Sequence, residues 1–165
     1  MTRSRSVTGR SRLGVGWWAT AWRGAARRVT SCRVVDWRTR ASTLFPELSA
    51  VVERESWSCH VFLSELWQLA LEAHRDGDGE VLRRVYEFAH WCFRQPERFL
   101  SDASVVSFYE HVFDEWELRD EVAPWLPAEV VERVRPLWEW RWSKERLTEV
   151  DRLLAGAAPP GSNPV

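Results

Sequence analysis

The sequence predicts an all-α fold, either a compact bundle or stacked antiparallel helical hairpins, of about five helices. Three observations lead to this prediction. From Ser42 onward, apolar residues recur at the three- and four-residue spacing of amphipathic helices. Short connections join successive apolar stretches, which favours antiparallel neighbours. No two stretches combine the alternation and turn residues of a β-hairpin.

The first two predicted helices differ in how much of their surface is apolar. The first begins at Pro46, which suits an initial helical turn, with Glu47 near the positive end of the dipole. The second, SCHVFLSELWQLALEAH, is apolar around so much of its circumference that we predict it to be the central helix. Its inward residues are Cys59, Phe62, Leu63, Leu66, Leu69, Ala70 and Ala73, widened by Trp67 and Leu71.

The link RDGDGE is predicted to end the central helix and to start the next one. Gly77 suits the left-handed closing position, and Asp78 suits the following N-cap. The acids of this link do not predict a calcium loop, because Val81 stands where the sixth-position glycine is required. The helix that follows is predicted to bury Val81, Leu82, Val85, Phe88, Ala89, Cys92 and Phe93.

A further helix is predicted after the break at PERFLSD. Ser101 or Asp102 is expected to cap it, since short polar side chains accept hydrogen bonds from the first free amides of a helix. Its single apolar stripe is predicted to comprise Val105, Phe108, Tyr109, Val112, Phe113 and Trp116.

The stretch PLWEWRWSKERL fits two patterns. Trp138, Trp140 and Trp142 alternate with charged residues as in a strand, whereas the sequence around them has helical spacing. We interpret it as a crossover between two helical faces, with Trp138 and Trp142 near one side and Trp140 on the other. Pro136 lacks a backbone donor, so a break or kink is predicted just before it. The second face needs a partner, which is the domain itself, the N-terminal arm or another chain. That face comprises Trp140, Leu147, Val150 and Leu154.

Charge divides the chain into two parts, although the net charge is only -1. Residues 1–40 carry ten arginines and one acid, whereas the remaining chain carries 13 basic and 23 acidic residues. We therefore predict a basic, disordered segment over residues 1–40, an acidic helical domain over residues 41–154 and a disordered tail over residues 155–165.

Four interpretations of residues 1–40 compete. The preferred one is a flexible tail, or an upstream reading-frame extension that was never selected to fold. The second is an arm that binds nucleic acid or an anionic membrane, because clustered arginines release counterions from phosphates. The third is a signal peptide, which fits poorly because its apolar part, LGVGWWATAW, is brief and contains two glycines. The fourth is an arm that folds back onto the acidic domain.

The sequence favours no catalytic, cofactor or metal site, and we expect a protein without enzymatic activity. Glu87 and His90 form a single ExxH motif, whereas di-iron bundles use two copies. An ion pair in solvent is the preferred interpretation of this motif. Cys92 lies on the apolar stripe of its helix and His90 points away from it, which disfavours a shared zinc ion. The chain also lacks a phosphate loop and a glycine-rich nucleotide fingerprint.

Cysteine usage and hydropathy predict a cytoplasmic protein. Cys32, Cys59 and Cys92 are odd in number and lack CxxC spacing, so a disulfide framework is not expected. Buried, reduced thiols are the preferred interpretation. No apolar run approaches the length needed to cross a bilayer.

Several segments carry a resemblance to a known family. They are FPEL, HVFLSELWQLAL, GDGEVLRRVYEFAHW, VVSFYEHVF and RPLWEW. On these segments the chain resembles, from about residue 45 to residue 147, a family of small, uncharacterised bacterial helical proteins. The resemblance implies an all-helical domain and no established active site. The arginine-rich N-terminus lies outside it.

The favoured function is a protein-interaction module that binds an unidentified basic protein. A toxin-neutralising immunity protein fits this description. Exposed tryptophan is typical of interaction hot spots, and clustered carboxylates attract basic partners. The alternative is nucleic-acid or anionic-membrane binding through residues 1–40. The candidate interaction surface comprises Trp91, Trp140, Asp114, Glu115, Glu117, Asp120 and Glu121.

Overall fold

A computed structural model describes residues 36–54 and 58–157, which contain helices and no strand. The all-α prediction is confirmed. Short helices that the periodicity did not separate raise the number above the predicted five, to eight α-helices within the described residues. They are α1 Trp37–Leu44, α2 Ser49–Arg54, α3 Cys59–Asp76, α4 Gly79–Phe93, α5 Arg98–Ser107, α6 Arg119–Val122, α7 Ala128–Arg141 and α8 Lys144–Gly156. Single 3₁₀ turns span Pro46–Leu48, Tyr109–His111, Trp116–Leu118 and Ala123–Trp125.

Helix α3 is the central helix, as predicted, and packs against α2, α4 and α5. The side chain of Ser58 caps it by accepting a hydrogen bond from the His60 amide. All its predicted inward residues are buried except Leu69, which is half-buried. Because its apolar surface wraps around most of the helix, neighbours are needed on several sides.

The α3–α4 turn has the predicted chemistry. Gly77 adopts the left-handed conformation with φ 69°. The side chain of Asp78 accepts hydrogen bonds from the amides of Glu80 and Val81, each at 3.1 Å. These contacts satisfy free amides at the start of α4 and fix the antiparallel hairpin.

Replacing Gly77 by alanine is expected to lower the free energy of unfolding by about 1 kcal/mol, because a β-carbon disfavours the left-handed region. Gly79 provides a matched control, since it has no positive φ and a β-carbon there meets no atom within 4 Å. Urea unfolding of both variants checks the expectation. Equal destabilisation of the two variants would contradict it.

Helix α1 begins within residues 1–40, the segment that its charge predicted to be a basic, disordered arm. The side chain of Asp36 accepts a hydrogen bond from the Arg38 amide. Trp37 is only 5% exposed and its ring lies 5.7 Å from Phe62. The buried positions Trp37, Ala41 and Phe45 follow four-residue spacing, so one helical face crosses the predicted boundary between residues 40 and 41. The predicted disorder of residues 1–35 and 158–165 lies outside the described residues.

Helix α5 starts earlier and ends earlier than predicted. The predicted cap at Ser101 or Asp102 is wrong, since α5 begins at Arg98 and the Ser101 hydroxyl donates to the Phe93 carbonyl at 2.8 Å. The predicted continuous helix is also wrong, because α5 ends at Ser107 and a 3₁₀ turn follows. The change of direction lets adjacent aromatic residues reach different neighbours: Phe108 contacts Trp67, whereas Tyr109 contacts Phe93.

Trp138 and Trp140 lie on α7, whereas Trp142 follows the end of that helix in extended backbone, with φ -116° and ψ 155°. The predicted separation of Trp140 from Trp138 and Trp142 is confirmed, but a break after Arg141 divides the stretch between two helices. Trp138 is fully buried, and Trp142 stacks on it with ring centroids 5.3 Å apart. Trp140 is 86% exposed. The helical continuation α8 starts after Ser143, whose hydroxyl accepts a hydrogen bond from the Arg146 amide.

The predicted break before Pro136 is wrong, because α7 runs through this residue to Arg141. Pro136 lies on the exposed side of the helix, and so does Glu132, whose carbonyl loses its intrahelical donor. Water can satisfy that carbonyl, which explains why the helix continues. The predicted second face does not form as one surface, because Trp140 is exposed on α7, whereas Leu147 and Val150 of α8 are buried and Leu154 is half-buried. The domain itself covers the α8 part of this face, together with Leu153.

Candidate interaction surface

The end of α3, the α3–α4 turn and residues 114–121 form one acidic end of the domain. Arg75 Nη2 lies 3.2 Å from Glu115 Oε2, and His74 Nδ1 lies 4.0 Å from Glu121 Oε2. These two contacts join segments that are distant in sequence. Residues 72–80 and 114–121 contain nine carboxylates and two arginines, a net charge of -7 with His74 neutral, and all nine carboxylate side chains are exposed.

The five acids predicted as part of the interaction surface all lie in this acidic end, and several form ion pairs within the domain. Asp114 accepts from Arg141 at 3.1 Å and contacts His111 Nδ1 at 2.8 Å. Asp120 lies 3.6 Å from Arg119. Glu117 lies in the 3₁₀ turn between them and is exposed. Exposed pairs of this kind contribute about 1 kcal/mol or less, so they exchange partners readily.

The structure places the two predicted surface tryptophans differently. Trp91 is half-buried and packs against Phe88, and the guanidinium of Arg40 covers its ring at 4.8 Å. Trp140 projects into solvent from α7, next to Arg141, which links the end of that helix to Asp114. Trp91 therefore serves the contact between α1 and α4, while Trp140 remains available to a partner.

A cleft that sequence reasoning missed lies between α4 and the segment that leads into α7. It encloses about 470 Å³ and begins at Gly79, beside the acidic end. Tyr86 and Trp125 form one wall, stacked with centroids 5.1 Å apart and planes inclined by 13°. We call it the aromatic cleft. Its lining comprises Gly79, Arg83, Tyr86, Glu87, His90, Trp125 and Pro127.

Two ion-pair groups mark the rim of the aromatic cleft. Arg83 contacts Glu80 at 2.6 Å and Glu87 at 3.1 Å, and the hydrogen bond that Arg83 donates to Glu80 is the main cause that raises the pKa of Arg83. His90 Nε2 lies 3.0 Å from Glu129 Oε1. Glu87 and His90 thus have separate partners. Within the described part of the chain, no three His, Cys, Asp or Glu residues are grouped to hold a metal ion.

A buried hydrogen bond supports the aromatic cleft from behind. His74 Nε2 lies 3.0 Å from Tyr86 Oη, and His74 is only 4% exposed. Burial lowers the pKa of His74 to about 4 and raises that of Tyr86. The imidazole is therefore neutral at neutral pH, and the pair fixes the position of the Tyr86 ring.

Other polar side chains join elements of the core. His60 Nδ1 lies 2.7 Å from Ser107 Oγ, which connects the start of α3 to the end of α5. Cys59 and Cys92 are buried free thiols, as predicted, and burial raises the pKa of Cys59 to about 11. Cys32 lies outside the described residues. Only tertiary packing identifies the histidine–serine pair, because its members are far apart in sequence.

Comparison with known proteins shows a family match over most of the domain. A family described as a domain of unknown function, DUF7674, matches residues 39–142. No curated protein and no solved structure matches the chain. Among residues 36–54 and 58–157, no helix has both the length and the hydrophobicity that a membrane span requires. Nucleic-acid or membrane binding was predicted for residues 1–40, of which residues 1–35 lie outside the described residues.

Proposed function

This chain belongs to the DUF7674 family of domains of unknown function, and on that premise we propose that it is a protein-interaction module that binds a basic partner. The acidic end is the observation that carries the proposal. Its two segments carry a net charge of -7, which becomes -5 when Arg83 and Arg141, the partners of Glu80 and Asp114, are counted, and the fold brings these exposed acids together. A concentrated field of one sign steers an oppositely charged protein toward its docking site and selects it over neutral ones.

The exposed indole of Trp140 supports the same proposal. Tryptophan is enriched among the residues that dominate interface energies, and this side chain has the greatest exposure of the large apolar residues in the described part of the chain. The contacts between Arg141 and Asp114 place the end of α7 beside the acidic end. A partner that covers both surfaces combines electrostatic attraction with burial of an aromatic ring. The reduced thiols of Cys59 and Cys92 favour a cytoplasmic setting for this encounter.

A charge-reversal experiment tests the proposal. The probe is a fluorescein-labelled peptide of Arg-Gly repeats, and the measurement is fluorescence polarisation at low and high salt. The double variant Glu117→Lys/Asp120→Lys turns two attractions into repulsions. With roughly 0.2–1 kcal/mol for each exposed pair, the Kd of the peptide is expected to rise about tenfold.

The matched control is Glu53→Lys/Glu132→Lys, which changes the net charge equally at exposed sites outside the acidic end. The Kd of the control is expected to stay within about twofold of the original, because screening limits the reach of surface charges to about 10 Å. An equal loss of affinity in both variants, or no binding of the peptide to the unmodified chain, overturns the proposal.

A further inference from the structure

We propose that the aromatic cleft receives an arginine side chain of the basic partner, between the Trp125 ring and the carboxylates of the rim. This inference rests on the proposed function and identifies the side chain that its binding surface recognises. The cleft begins at Gly79, between Asp78 and Glu80 of the acidic end, so the two surfaces are continuous.

The first argument comes from how this domain treats its other tryptophans. A guanidinium lies over a tryptophan ring at 4.6–5.3 Å in five described pairs. Among the four half-buried tryptophans of residues 36–54 and 58–157, Trp91, Trp116 and Trp142 have such a guanidinium. Trp125, the fourth, stacks with one face on Tyr86 and lines the open cleft. Guanidinium groups bind aromatic faces through the ring quadrupole. The five pairs are Arg38 with Trp37, Arg40 with Trp91, Arg119 with Trp116, and Arg146 with both Trp116 and Trp142.

The second argument is the charge of the rim. Glu80, Glu87 and Glu129 contribute three carboxylates against Arg83, which pairs with two of them, and Arg94, whose charge adds to a backbone hydrogen bond in lowering the pKa of Glu129. The surplus is negative when His90 is neutral. An anion is therefore repelled, whereas a cation finds carboxylate oxygens beside the aromatic wall. The planar fork of a guanidinium matches a carboxylate in two places, which a lysine ammonium does not.

The third argument is size. A volume of about 470 Å³ falls within the range of roughly 300–1,000 Å³ that is typical of ligand sites. The apolar wall suits the methylene groups of an arginine side chain, and the rim suits its charged end. The buried contact between His74 and Tyr86 holds the wall in place before a ligand arrives, so little ordering is needed on binding.

The test compares two peptides of equal charge on the full chain, one of Arg-Gly repeats and one of Lys-Gly repeats. Long-range attraction by the acidic end is equal for the two peptides, because they carry equal charge, whereas two-point pairing with any of its carboxylates favours arginine. The cleft variants below therefore decide whether the preference belongs to the aromatic cleft. An arginine cleft adds one guanidinium–indole contact, so the Arg-Gly peptide is expected to bind about fivefold more tightly. Fluorescence polarisation measures both Kd values, and this comparison requires no variant.

Filling the aromatic cleft tests its location. Gly79 lines the cleft, and a β-carbon there meets no atom within 4 Å, so Gly79→Leu adds an apolar side chain at the edge of the cleft without a clash. Gly156→Leu is the matched control, an equally open glycine at the end of α8. The first variant is expected to abolish the preference for arginine, while the control keeps it. Trp125→Phe retains a ring beside Tyr86 and is expected to reduce the preference, which gives a second variant if Gly79→Leu does not fold.

The outcomes separate the two proposals. Equal affinities for the two peptides, with loss of both in Glu117→Lys/Asp120→Lys, overturn the arginine cleft and leave the interaction module standing. A preference for arginine that survives Gly79→Leu and Trp125→Phe also overturns the cleft. Failure of both peptides to bind the unmodified chain overturns the interaction module, and the arginine cleft with it.

Discussion

Replacing Trp138 by alanine is expected to lower the free energy of unfolding by about 4 kcal/mol, the range for a fully buried aromatic side chain. Trp138 has no exposed surface, packs at 5.4 Å from Phe113 and at 5.3 Å from Trp142, and donates its indole N–H to the Glu110 carbonyl at 3.2 Å. Alanine leaves a cavity and removes one of two donors to that carbonyl, the other being Arg141 Nη1 at 3.2 Å. The loss is a large share of the roughly 5–15 kcal/mol that stabilises most domains.

The same substitution at Trp140 is the matched control, two residues further along the same helix. Its side chain is 86% exposed, so the change is expected to stay within about 0.5 kcal/mol. Urea unfolding followed by circular dichroism measures both. Trp138→Phe retains a ring in the core and gives a measurable intermediate value if the alanine variant does not fold. Comparable losses at Trp138 and Trp140 would refute the assignment of the two residues to opposite faces.

Stability is expected to fall by about 3 kcal/mol as the pH is lowered from about 6.5 to 4, because of His74. Above pH 6.5 the imidazole is neutral in both the folded and the unfolded state and contributes no slope. Below it, the unfolded chain binds a proton that the folded protein, whose His74 has a pKa of about 4, does not bind. The free energy of unfolding therefore declines with falling pH until the folded pKa is reached.

Urea unfolding at several pH values, with and without His74→Gln, measures this contribution. The variant is expected to lose most of the slope between pH 6.5 and 5. This window lies above the range of about 3.9–4.3 in which Asp and Glu side chains titrate in an unfolded chain, and the pKa values of Glu129, Glu145 and Glu149 are lowered further in the folded protein. Tyr86→Phe keeps the buried imidazole and should keep the slope at a lower overall stability. An unchanged slope in His74→Gln would show that another group is responsible.

Periodicity was sufficient to predict the helices whose apolar face is continuous. The inward residues of α3 and α4 follow from spacing, and the turn between them follows from Gly77 and Asp78. Helix α1 was not predicted, although Trp37 and Ala41 have helical spacing. The reason is that the positive charge of residues 1–40 indicated an arm separate from the domain. Spacing also did not reveal that α7 continues through Pro136, which depends on the exposure of that side of the helix.

The candidate site was predictable only where its members are close in sequence. The acids of residues 114–121 lie together because the chain places them together. The aromatic cleft depends on the approach of Trp125 to Tyr86, and the cover over Trp91 depends on Arg40. Such contacts arise from tertiary packing, and the local sequence pattern of neither segment predicts the other segment as its neighbour. Sequence therefore predicted the charge of the surface and not its concave part.

The position of α8 has a consequence for where the folding unit ends. The DUF7674 match stops at residue 142, yet Leu147, Val150 and Leu153 complete the hydrophobic core, and Arg135 of α7 forms an ion pair with Asp151. A fragment that ends at residue 142 lacks α8 and exposes the apolar surface of α6 and α7 that α8 covers. An exposed apolar patch of this kind promotes aggregation. We therefore expect relatives that share the matched segment to have either a comparable final helix or polar residues at the positions of α6 and α7 that α8 covers here.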